Sequence, residues 1–120
     1  MTIRPMEAHP AAFSCKREIA FGREITESEL EQGMTKCLTV LTTGLRDLGC
    51  RLIGHIKGLL DCGNSGHLMF SITSFDDDVH FKGGIKGGIR KAVLTINIIV
   101  YGIETSKIEI LFNEAIDPYI

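Results

Sequence analysis

The chain lacks most of the patterns that would assign it a chemistry. No apolar run approaches the ~20 residues that span a bilayer, so no membrane-spanning helix and no membrane partner are expected. The opening residues Met1 to Pro5 lack the apolar core of a secretory signal, which points to a cytoplasmic protein. There is no excess of positive charge either. A formal charge of −2 is not the basic footprint of a nucleic-acid binder, and nucleic acid is not an expected partner. Cys15, Cys37, Cys50 and Cys62 include no Cys-x-x-Cys pair, and without an export signal reduced thiols are expected. Missing too are a Gly-x-Ser-x-Gly elbow and any base recognisable beside Cys15 or Cys62. No catalytic residue can be named, no cofactor is implied, and enzyme and non-enzyme readings both stay open.

What the chain does have is alternation. At 120 residues it is one domain by size, and its 44% apolar and 23% charged residues are those of a globular protein. From Cys50 onward, apolar residues recur at period two: Leu52, Ile56 and Leu60; Leu68, Phe70 and Ile72; Leu94, Ile96, Ile98 and Val100; Ile108, Ile110 and Phe112. Each set reads as a strand with one buried face. Phe13, Cys15, Arg17, Ile19 and Phe21 read as an edge strand, preceded by a flexible tail over residues 1–12 that holds two of the three prolines.

One helix interrupts the strands. Thr26-Glu27-Ser28-Glu29 is a capping box. Leu30, Met34, Cys37, Leu38, Leu41, Leu45 and Leu48 then make one apolar stripe, and Gly49 supplies the left-handed stop. Gly33 and Gly44 weaken the helix on propensity, so it depends on packing against the sheet.

Parity also constrains the hairpins. Leu60 and Leu68 share an even parity, which demands an odd loop between them, and Asn64-Ser65-Gly66 fits. The same rule places an odd loop near Glu104-Thr105-Ser106, joining Val100 to Ile110. The apolar parity switches between Ile89 and Ala92, so a bulge or turn is expected there. The expected architecture is α+β, with one main amphipathic helix, about Glu27 to Leu48, on a mostly antiparallel meander sheet of four to five strands, as a single domain over residues 13–120. The order of strand, long helix and long antiparallel strands resembles, at the level of the fold, the hot-dog thioesterase-like domains, which pair as dimers.

Three groups of residues carry candidate chemistry. Lys82-Gly83-Gly84 and Lys86-Gly87-Gly88, closed by Arg90 and Lys91, combine amides free to approach an anion with four cations. They lack the Gly-Lys-Ser/Thr of a phosphate loop and equally fit a bulged segment whose lysines protect a sheet edge. His55 and His67 share the face left open by the helix, and a metal site between them is one reading, with His80 a possible third member. Solvated histidines are the plainer one. Asp76-Asp77-Asp78 is a like-charged run that reads as a solvated turn.

The open face is the broadest lead. By parity it carries Arg51, Ile53, His55, Lys57 and Leu59, then His67, Met69, Ser71 and Thr73, then Val93, Thr95, Asn97, Ile99 and Tyr101, followed by Glu109 and Leu111. A mixed surface of this kind marks an oligomer contact or a ligand platform. Arg51, His55 and Tyr101 join Lys82, Lys86, Arg90 and Lys91 as ligand-binding candidates, for a small anionic ligand. The function expected is a non-catalytic binding or assembly module acting as a homo-oligomer; the alternative is a small enzyme or metal-binding protein with its site around His55 and His67.

Overall fold

The computed structural model describes residues 9–119, and its chain is α+β. β1 (Pro10–Ile25) leads into α1 (Glu27–Asp47), followed by β2 (Leu52–Asp61), β3 (Gly66–Ile72), β4 (His80–Ile85), β5 (Ile89–Tyr101) and α2 (Thr105–Ile116). The five strands form one antiparallel sheet in the order β1-β5-β2-β3-β4. This is not a simple meander. Only β2, β3 and β4 follow one another, whereas β5 is inserted between β1 and β2 after the chain crosses the end of the β2–β3 hairpin. Most of the expected tail, residues 1–8, lies outside the described residues, while Pro10–Ala12 already run in β1 with Ala11 buried.

α1 forms for the reasons its sequence states. The Thr26 hydroxyl accepts from the Glu29 amide at 3.2 Å, and Glu29 Oε1 accepts from the Thr26 amide at 3.1 Å. Leu30, Met34, Cys37, Leu38, Leu41 and Leu45 are buried against the sheet, and Gly49 follows the helix at φ 98°. Leu48, expected on the same stripe, is 48% exposed because the helix has already ended at Asp47.

The largest correction concerns the last element. Ile108, Ile110 and Phe112 are not a strand, and no hairpin turns at Glu104-Thr105-Ser106. Glu104 is the N-cap of α2, whose Ile108, Phe112, Ala115 and Ile116 are buried at helical spacing while Ile110 is 57% exposed. Leu111, expected on the open face, packs instead on α1. A Cβ at Gly44 would meet its Cδ2 at 2.8 Å, so the glycine makes room for the crossing of the two helices.

Registers fix the rest. Leu60 lies opposite Leu68, as parity requires, but the three-residue loop is Gly63-Asn64-Ser65, one position earlier than expected, closed by the Cys62 amide donating to Gly66 at 2.9 Å. The register of β2 against β5 shifts between Ile53 and His55, which puts Ile53 in the core and leaves Leu52 56% exposed, the reverse of the expected parity. A second shift sits where the parity of β5 switches. Ala20 faces Lys91 while Ile25 faces Ile89, so the extra residues belong to β1, over 21–24. No helix among the described residues is long and apolar enough to cross a membrane.

Candidate interaction surface

Both helices pack on one face of the sheet, the one that carries Ile19, Ile56, Leu60, Leu68, Phe70 and Leu94. Cross-strand pairing then aligns the other face in rows: Ser14, Asn97, Lys57, Ser71 and His80; Lys16, Thr95, Leu59, Met69 and Lys82; Glu18, Val93, Asp61, His67 and Gly84. No described element covers them. Leu59, Val93 and Ile99 are half-buried by their neighbours, and Met69 is 40% exposed. Lys16, Lys57, Lys82 and Lys91 outnumber the carboxylates of Glu18 and Asp61 on this face. The helix layer has the opposite sign, with Glu27, Glu29, Glu31, Asp47, Glu109 and Glu114 against Lys36, Arg46 and Lys107. The net charge of −2 thus conceals a molecule with a basic side and an acidic side.

The candidate ligand residues are spread along this face and past its end. Tyr101 ends β5, its carbonyl accepts from the Arg51 amide at 3.1 Å, and His55 lies two pairs further along, opposite Ile99. Lys91 is ten residues from Tyr101 on the same strand, roughly 33 Å away. Lys82 faces Met69 near the middle, while Lys86 and Arg90 are exposed on and beyond the crossover. The seven residues do not form one site. Nor are the histidines brought together. His67 pairs with Asp61, six residues from His55 along β2 or roughly 20 Å, and the His80 ring is held by Asp77 at 3.0 Å.

The glycine–lysine segment has acids beside it that are distant in sequence. Glu27 Oε1 accepts from the Ile85 amide at 2.7 Å, and a Cβ at Gly88 would come within 3.1 Å of Glu24 Oε2. The Lys86 amide donates to the Ser65 carbonyl at 2.8 Å. Two amides that the spacing offered to an anion are therefore used within the fold, one of them by a carboxylate of the chain itself. Their role here is to anchor β4 to the start of α1 and to the β2–β3 loop.

Two further features were hidden from the sequence because they join segments far apart in it. A hollow of about 440 Å³ opens between the end of β1, the first half of α1 and the end of α2. Its floor is Ile19, Ile25, Leu30, Met34 and Ile116, Gly22 and Gly33 leave it room, and Arg23 pairs with Glu29 at its rim. That guanidinium, and then the Thr26 amide, hold the Glu29 carboxyl down to about 2. Near the other end of α1, Arg46 lies 4.7 Å from the centre of the Phe75 ring and 3.5 Å from Asp76. In the same loop Asp77 accepts from the Thr73 hydroxyl at 3.1 Å, and its carboxyl is lowered chiefly by His80. The Asp76–Asp78 run is thus a pinned turn. Burial pushes the Cys37 thiol up to about 11 and raises Cys50 and Cys62, which leaves these three poor nucleophiles.

No protein-family model matches the chain, and no curated protein matches it. Among solved structures it is similar to the Zn(II)-bound YjiA GTPase of E. coli, at 17% identity and a TM-score of 0.43. A Zn(II)-bound triple mutant of YjiA GTPase is similar at 18% identity and a TM-score of 0.44. Each alignment covers 87% of this chain and 29% of the other, so the chain spans less than a third of those proteins. A likeness of this size carries no argument about function.

Proposed function

We propose that the chain is a non-catalytic binding or assembly module that works as a homo-oligomer. The observation behind this reading is the one-sided layering of the sheet. Five strands carry both helices on one face, while the other presents Leu59, Met69, Val93, Ile99 and Leu52 among lysines and hydroxyls. Apolar side chains left at a sheet surface gain free energy when a second surface removes them from water, at roughly 25 cal/mol per Å². The groups a catalyst would need are dispersed: three of the four thiols are raised by burial, the histidines sit on separate rows, and the Asp77 carboxyl is engaged by Thr73 and His80. Sedimentation equilibrium from micromolar to hundred-micromolar protein is expected to give a dimer or higher species. A monomer across that range overturns the assembly reading.

A further inference from the structure

We propose that two copies join edge to edge through β1, with antiparallel pairing about a two-fold axis at Arg17, to make one continuous ten-stranded sheet. The inference rests on the homo-oligomer reading but places this contact at the β1 edge, so the open face stays available on both copies.

The two edges of the sheet are unequal. β4 has 6 residues, Gly83 within it adopts φ 112°, and the Ile85 amide, which would otherwise reach for a neighbour, is taken by Glu27. That edge is short, carries a glycine at positive φ and is capped, as edges protected from pairing are. β1 has 16 residues and pairs with β5 alone, so among the described residues its outer amides and carbonyls meet no other strand. A long edge of this kind is a template for another strand.

The side chains of β1 select the strand. Direct antiparallel partners lie on the same face, so a two-fold at Arg17 puts Lys16 opposite Glu18 of the second copy, and Glu18 opposite its Lys16. Ser14 then meets Ala20 on the open face. On the helix face Phe13 meets Phe21 and Cys15 meets Ile19, all partly or wholly buried within one copy. Arg17 itself lies on the axis, but its guanidinium is turned onto α2, where it donates to Asn113 and lies 5.5 Å from the centre of the Phe112 ring. Shifting the axis by two residues either way, to Cys15 or to Ile19, removes both charge pairs. Lys16 and Glu18 thus do what lysines alone on an edge do not: they oppose most strands yet complement their own.

Charge exchange tests this register. Lys16→Glu and Glu18→Lys each place two like-charged pairs across the axis and are expected to raise the dimer dissociation constant about tenfold or more. The double exchange K16E/E18K is expected to bring it back to within about threefold of the parent. As a second measure, S14C/A20C puts cysteines opposite each other between copies but roughly 20 Å apart within one, so oxidation is expected to give a covalent dimer. If the parent is dimeric but the exchanges leave its affinity unchanged, the edge proposal falls and the assembly reading stands. A monomeric parent ends both. Should a single exchange unfold the chain, the cross-link decides, and its failure to form overturns the proposal.

Discussion

Gly58 shows how one residue can be fixed by a neighbour across the sheet. It sits opposite Phe70, and a Cβ there would fall 2.1 Å from the ring's Cζ, inside the space the ring occupies. Phe70 is buried and cannot swing out, so Gly58→Ala is expected to cost about 1–3 kcal/mol by overpacking. Gly22→Ala, with nothing within 4 Å, should change stability by less than about half a kcal/mol. Urea denaturation of the two variants checks the contrast. A second residue-scale expectation concerns Glu29. Its carboxyl titrates near 2, against an ordinary 4.5, because Arg23 and the Thr26 amide favour the charged form. A lowered folded pKa stabilises the protein above the ordinary value and loses that contribution as pH falls from about 4.5 to about 2. Carboxyl-carbon NMR should find the Glu29 midpoint moved upward in Arg23→Gln, with the Thr26 contact keeping it below the ordinary value. An unmoved midpoint would mean that the pair does not persist in solution.

At the scale of the element, legibility followed the length of the pattern. The α1 stripe runs from Leu30 to Leu45 with a capping box before it and Gly49 after it, so local and tertiary signals agree and sequence alone places the helix. The segment Ile108–Phe112 is too short for the two periods to separate. Positions 108 and 112 belong to both patterns, and only Ala115 and Ile116 tip the balance toward a helix. A single extra residue at Gly54 reverses the faces of Leu52 and Ile53, so Ile53 is core although period two places it on the open face. The position of Ile110 gives a direct test. In a strand it would be core, whereas in α2 it is 57% exposed, so Ile110→Lys should cost less than about half a kcal/mol. Phe112→Ala should cost about 3–5 kcal/mol, since the ring is fully buried and packs 5.5 Å from that of Phe13. Equal costs in thermal denaturation would refute the helix.

Across the whole molecule, what the sequence could not disclose was adjacency. Parity assigned the open-face residues of β3 and most of those of β2 and β5, yet nothing local says that β5 lies between β1 and β2. The rows across the face, the Glu27 cap on β4 and the distance separating His55 from His67 all follow from that insertion. The acids Glu24 and Glu27 beside the glycine–lysine segment were equally out of reach, being about sixty residues upstream. In the same way the molecule's division into a basic sheet side and an acidic helix side depends on which residues share a layer, a property the net charge averages away.

The insertion of β5 also sets the order in which a growing polypeptide can complete its sheet. Strands β1 to β4 leave the ribosome before β5, yet β1 has no strand partner until β5 arrives, and β2 has one on a single side only. A nascent chain can close the β2–β3–β4 hairpins early while its longest strand waits with both rims bare. During synthesis the exposure of β1 is therefore greatest, and the chain then depends most on whatever in the cell keeps unpaired strands apart.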